Sequence, residues 1–229
     1  QIDQAVEASL KRLQTDYIDL YQLHWPDRQI PGFGFHAYQD YDADEMVPLE
    51  DIYGALSRHV EKGNIRHIGV SNELGWATMK FLELANKKGG PRLVSNQCVY
   101  SLISRRFDYE RAEMAMREGV GLLAYSPLAM GLLTGKYASG GQGRLCEDAR
   151  YNSRYGQAWM HQAAEGLSAL ANSIDVSPAT LAVAWAAAAG AAAAASPPAP
   201  AGCPGGGPRR PARARGPTAR CCWPSAAAR

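Results

Sequence analysis

The sequence predicts an α/β protein in which successive strand–helix units build a parallel sheet. Three observations predict it. Strand-like runs begin at Ile65, Arg92 and Val120, at steps of 27 and 28 residues, which is the length a strand, a loop, a helix and a second loop occupy. Each run follows an amphipathic helical pattern that stops at glycine, the residue that most readily ends a helix. Each run is apolar along its length and polar at its C-terminal end. A parallel sheet of this kind is either doubly wound or closed into a barrel, and in a barrel those ends share one rim.

The chain opens with Ile2, Ala5, Val6, Ser9, Leu10 and Leu13 on one helical face, with Lys11 and Arg12 near the end where the helix dipole favours cations. It starts at Gln1 inside this pattern, so an N-terminal portion is expected to precede it. Thr15-Asp16 breaks the pattern, Tyr17 to His24 reads as a strand, and Pro26 ends it. The stretch from Arg28 to Val47, rich in Tyr, Phe, Gly and acid, is expected to loop over the rim or to be a plain surface insertion.

A helical face of Leu49, Ile52, Tyr53, Leu56 and Val60 ends at Lys62-Gly63 and leads into the strand Ile65–Ser71. A second face of Trp76, Met79, Leu82, Leu84 and Ala85 ends at Gly89-Gly90, before the strand Arg92–Gln97. A third, shorter one of Ala112, Ala115 and Met116 ends at Gly119, before the strand Val120–Tyr125. After Lys136 the chain passes through Gly and Arg, then reads as a helix over Gln162–Ser173. Ser177-Pro178 has the form of an N-cap with Pro at the first helical position, opening a helix through Trp185.

From Ala186 the composition changes. The last 44 residues hold 17 Ala, 8 Pro, 6 Gly and 6 Arg, with no Asp, Glu or Lys. They offer too little apolar surface to offset the entropy of ordering, so residues 186–229 are expected to be a disordered tail. A basic tail for RNA or membrane is one reading, and a frame-shifted end encoded by GC-rich codons fits the composition better. Without the tail the chain carries 18 basic and 22 acidic residues, which leaves no nucleic-acid footprint. No apolar run suits a membrane span. Cys98 and Cys146 lack metal-ligand spacing, so free thiols, no metal site and a reducing, cytoplasmic location are expected.

The strand ends supply the candidate site. His24, Ser71, Asn72, Gln97, Tyr125 and Ser126 put imidazole, hydroxyl and amide groups beside an aromatic face, a set suited to a flat heteroaromatic ligand bearing a carboxamide. Singly, each residue is a weak signal. In order and spacing, four segments resemble the aldo-keto reductase superfamily: Asp19-Leu20-Tyr21-Gln22-Leu23-His24-Trp25-Pro26, Ile65 to Asn72, Asn96-Gln97-Cys98-Val99-Tyr100-Ser101, and Ala124-Tyr125-Ser126-Pro127-Leu128. Gly131-Leu132-Leu133-Thr134-Gly135-Lys136-Tyr137 is similar to the branch holding Tas-like reductases and potassium-channel β subunits.

The resemblance, which runs from Gln1 to about Trp185, implies a partial (β/α)8 barrel, about strands four to seven with their helices, as one domain over residues 1–185. It implies an NADP(H)-dependent oxidoreductase that reduces aldehydes or ketones to alcohols, with a small carbonyl compound as substrate and no obligate protein partner. His24 would orient or polarise the substrate carbonyl. Ser71, Asn72 and Gln97 would hold the nicotinamide carboxamide, Tyr125 would stack on the ring, Ser126 and Leu128 would line the pyrophosphate, and Lys136 would add charge to the phosphates. Of the family's catalytic Asp, Tyr, Lys and His, only His24 has a match in this sequence, and no residue matches the 2′-phosphate site. The chain alone is therefore expected to be an unstable, inactive fragment with open sheet edges. An NADP(H)-binding regulatory subunit like the potassium-channel β subunits is the alternative function.

Overall fold

The computed structural model describes residues 1–28, 30, 46–138, 140–194 and 221–222. The chain begins with helix α1 (Ile2–Leu13), which turns through a left-handed Gln14 into strand β1 (Ile18–Leu23). Helix α2 (Leu49–Glu61) leads into β2 (Ile65–Ser71), and α3 (Gly75–Lys88) into β3 (Leu93–Val99). Two short helices, α4 (Arg106–Glu110) and α5 (Ala112–Glu118), precede β4 (Gly121–Tyr125). Gly89 and Gly119, at φ 61° and 68°, end α3 and α5 in the left-handed conformation that the glycine stops predicted.

The sheet order is β4-β3-β2-β1, every pairing parallel, with each strand beside the one that follows it in the chain. Within these four strands the order follows the chain without reversal, a single winding sense such as barrel strands have. One face of the sheet is covered by helices. Val6 of α1, Tyr53 and Leu56 of α2, and Ala77, Phe81 and Leu82 of α3 form one core with Ile18, Tyr21, Ile65, Ile68, Val70 and Leu93. The opposite face carries a row that the register aligns as Gln22, Gly69, Ser95 and Gly121. At this row the opposite face is polar and small.

Several expectations are corrected. Trp76 and Met79 lie on the outer side of α3, 52% and 42% exposed, and its buried face is Ala77, Thr78, Phe81, Leu82, Leu84 and Ala85. Met116 is likewise outward, and Ala115 fills the core of α5. Leu82, Leu84, Ala85 and Ala115 are buried as the pattern predicts, so only one flank of each expected face is displaced. The Gly- and Arg-containing stretch after Lys136 contains two short helices, α6 (Arg144–Glu147) and α7 (Ala149–Tyr155). With the 3-10 helix Ala129–Thr134, α8 (Ala158–Ser173) and α9 (Pro178–Ala194), they enclose a second core around Leu132, Leu133, Leu145, Tyr155 and Leu167.

The cap expected at Ser177 is present, its hydroxyl accepting from Thr180 N at 3.0 Å. Helix α9 runs past Trp185, so the expected tail boundary falls inside a helix. The strand Cys221–Cys222, designated β5, pairs in parallel with Leu20 and Tyr21 of β1, and the rest of the expected tail from residue 195 onward lies outside the described residues. So does most of the expected rim loop, residues 29 and 31–45. Cys98 and Cys146 are both free thiols. Among the described residues no single helix is long and apolar enough to cross a membrane, and no three His, Cys, Asp or Glu side chains group as metal ligands.

Candidate functional site

The ends of the four strands are tied together by hydrogen bonds running across the sheet. Asn72, one residue past β2, stands at φ 61°, a left-handed conformation that Asn tolerates better than most residues. Its backbone N–H donates to the Gln97 carbonyl at 2.8 Å, so β3 fixes the turn. From there the Asn72 amide Nδ2 donates to the His24 carbonyl at 3.0 Å and to Ser71 Oγ at 3.1 Å. Ser71 Oγ donates in turn to the Gln97 carbonyl at 3.1 Å. The Tyr125 hydroxyl donates to Asn72 Oδ1 at 2.8 Å. His24, Ser71, Asn72, Gln97 and Tyr125, one or two from each strand end, therefore meet at one rim.

One atom of this cluster has spare capacity. Gln97 Oε1 is buried without a hydrogen-bond donor, an arrangement that costs about 1–3 kcal/mol unless a ligand or water supplies the donor. The hydroxyl of Ser71 is spent on the Gln97 backbone and the amide hydrogens of Asn72 on His24 and Ser71, so these two residues first of all shape the rim. His24 also lines a cavity of about 1080 Å³ walled mainly by the start of α1, the first turns of α2 and Phe81 of α3; Ser71 borders it, but Asn72, Gln97 and Tyr125 do not.

The turn after β4 is strained. Ser126, Ala129 and Met130 all have positive φ, at 57°, 47° and 55°, followed by Gly131 at 93°. Three such non-glycine residues in one turn cost of order 1 kcal/mol or more each, and strain of this kind concentrates at functional sites. The Ser126 carbonyl accepts from Ala129 N, and the Leu128 carbonyl from Gly131 N and Leu133 N, so the turn curls its backbone beside Tyr125. Leu128 itself packs into the second core. Lys136 lies against Gly131, Gly143 and the Tyr137 ring, 4.8 Å from its centroid.

Three features were not anticipated from the sequence. Arg154 of α7 donates to the Tyr125 hydroxyl at 3.4 Å and lies 5.8 Å from that ring's centre. Its neighbour Tyr155 is buried, which pushes its phenol above the ordinary range and keeps it protonated. Arg28 and Glu73 form a buried two-pronged ion pair at 2.8 and 2.6 Å beside the His24 cavity, and Glu73 also accepts from Leu74 N. Behind the rim, Ser95 Oγ donates to Gln22 Oε1 at 3.0 Å on the polar face of the sheet. Arg-Tyr occurs at 150–151 and 154–155, one helical turn apart, and that spacing was the available signal for α7.

Known proteins share both the sequence and the fold. Residues 1–202 match the sequence model of the Aldo/keto reductase family. Protein tas of Escherichia coli is 41% identical over 186 residues, covering 80% of this chain and 54% of that protein. An aldo-keto reductase of Babesia bovis is 42% identical over 166 residues, covering 66% of this chain and 58% of its own length. A solved glycerol dehydrogenase from Gluconobacter oxydans superposes with a TM-score of 0.63 at 28% identity, over 80% of this chain and 50% of that one. The chain thus spans about half the length of these relatives, and its four parallel strands form part of a (β/α)8 barrel. By the family match over most of its length, the chain belongs to the aldo/keto reductase family.

Proposed function

We propose that this chain carries the nicotinamide-binding part of an NADP(H)-dependent reductase of aldehydes or ketones, and that these 229 residues alone turn over no substrate. The supporting observation is the buried, donorless Gln97 Oε1 at a rim where Ser71, Asn72 and Tyr125 are already linked. A carboxamide NH2 is the donor such an acceptor fits, and the adjacent Tyr125 ring offers a surface for the flat ring that bears it. The residues present therefore fit a nicotinamide. When bound, the cofactor supplies hydride chemistry; the protein supplies binding and orientation.

In this reading Gln97 accepts from the carboxamide, while Ser71 and Asn72 fix the rim and reach the carboxamide oxygen by re-aiming one N–H or O–H. Tyr125 is held against Asn72, so its ring is pinned at one angle and selects which ring face is presented. Ser126 and Leu128 contribute the curled turn backbone to the pyrophosphate, and Lys136 a charge. His24, tied to Asn72 through its backbone carbonyl, orients a small carbonyl substrate beside the ring. The proton donor and its partners in the family's tetrad have no match here, which is why no turnover is expected.

The test is binding and turnover on the same preparation. The full chain is titrated with NADPH and NADH, following cofactor fluorescence, and then assayed with an aromatic aldehyde. Saturable NADPH binding without turnover is expected, and Gln97→Leu should weaken that binding about 10-fold or more, as loss of a buried hydrogen bond to a ligand does. Absence of saturable binding, or binding indifferent to Gln97→Leu, overturns the assignment; clear aldehyde reduction overturns the inactivity.

A further inference from the structure

Arg154 lies against Tyr125, and its placement has a chemical consequence. The guanidinium carbon is 5.8 Å from the ring centre, while Nη2 is 3.4 Å from the hydroxyl, so the charge sits towards the hydroxyl edge and does not cap the ring face. It also lies 5.3 Å from the centre of the Tyr155 ring. A guanidinium stays protonated throughout the accessible pH range, so this charge is permanent.

We propose that Arg154 sets the redox preference of the site, making it bind the reduced nicotinamide more tightly than the oxidised one. The inference rests on the assignment of Tyr125 to the nicotinamide. The oxidised ring carries a positive charge and the reduced ring none, while the phosphates are the same in both forms. Attraction between Arg154 and phosphate therefore contributes equally to both and cancels from the ratio of their dissociation constants. Repulsion from the ring charge does not cancel. For a separation of roughly 8 Å the Coulomb effect is about 2-fold at the dielectric of water and about 30-fold at an effective dielectric near 20. Arg154 is half-buried, so a factor of about 5–10 is expected. In a reductase, this charge would favour loading of the reduced form and hasten departure of the oxidised one.

The experiment measures Kd for NADPH by its fluorescence and for NADP+ by displacement, using the full chain, Arg154→Met and Arg154→Lys. The ratio Kd(NADP+)/Kd(NADPH) is expected to fall about 5- to 10-fold in Arg154→Met and to stay near the parent value in Arg154→Lys. Because the ratio is taken within each protein, a partly unfolded variant does not distort it. An unchanged ratio in Arg154→Met, with both forms still binding, overturns the inference and leaves the nicotinamide assignment standing. Equal weakening of both forms also overturns it, showing a phosphate contact instead. If the parent chain binds neither form, the assignment of Tyr125 falls and the inference with it.

Discussion

Substituting Gly69 by alanine probes the polar face of the sheet at its tightest point. A Cβ at residue 69 would lie 2.4 Å from Ser95 Oγ, 3.1 Å from Gln22 Cγ and 3.2 Å from Gln22 Oε1. Ordinary contact begins near 3.4 Å, so Ser95 Oγ must retreat by about 1 Å, and it can do so only by abandoning its 3.0 Å bond to Gln22. Overpacking of this kind costs about 1–3 kcal/mol, and the freed Gln22 Oε1, buried in a residue only 2% exposed, adds to it. Ser95→Ala alone forfeits the same hydrogen bond at about 1–3 kcal/mol but removes the clashing atom. The double variant should therefore cost less than the sum of the two by at least about 1 kcal/mol. Urea unfolding followed by tryptophan fluorescence measures all three. A neutral Gly69→Ala, or strict additivity in the double variant, would refute the account of three strands closing on one another at this row.

Other perturbations read different parts of the structure. Glu73→Gln leaves Arg28 buried without its carboxylate, and side chains only 5% and 6% exposed place the loss at about 3–5 kcal/mol, roughly 6–20 °C in a thermal melt; a shift under 2 °C would count against a buried pair. Asn72→Ala severs the bonds to His24, Ser71 and Tyr125 and forces a Cβ-bearing, non-Asn residue to φ 61°, whereas Asn72→Gly keeps the backbone free, so Ala should be the less stable of the two by about 1 kcal/mol in chemical denaturation. Lys87 and Lys80 hold the Glu83 carboxyl down at about 2. A depressed folded-state value means that its contribution is complete above the unfolded value of 4.5 and is lost as pH falls towards 2, so Glu83→Gln should flatten the stability profile in that window, and 1 M salt should do the same. Identical slopes for parent and variant would contradict it.

The strand–helix repeat was legible because glycine stops and apolar strands are local signals, and β1 to β4 begin within a few residues of where the spacing put them. That His24, Ser71, Asn72, Gln97 and Tyr125 share a rim followed from the parallel arrangement alone. What the pattern could not show was which flank of an apolar helix faces inward. Trp76 and Met79 look like core residues by type, yet Arg28 lies 5.5 Å from the Trp76 ring on the outside of α3. Long-range polar pairing was equally hidden: Arg28 meets Glu73 across 45 residues, and Gln22 meets Ser95 across 73. The Arg-Tyr spacing hints at α7 but not at what that helix packs against, so Arg154 could not be placed beside Tyr125 before the fold was known.

The central claim is that Gln97 and Asn72 hold a nicotinamide at the strand ends, and side-chain amide NMR reads it directly. Nicotinamide mononucleotide is titrated into the 15N-labelled full chain while the Gln and Asn side-chain NH2 resonances are followed. The account predicts that the Gln97 and Asn72 signals move together, with one shared dissociation constant, while those of exposed amides such as Gln14 and Asn172 stay still. Uniform small shifts across exposed amides, with Gln97 and Asn72 unmoved at saturating ligand, would contradict it.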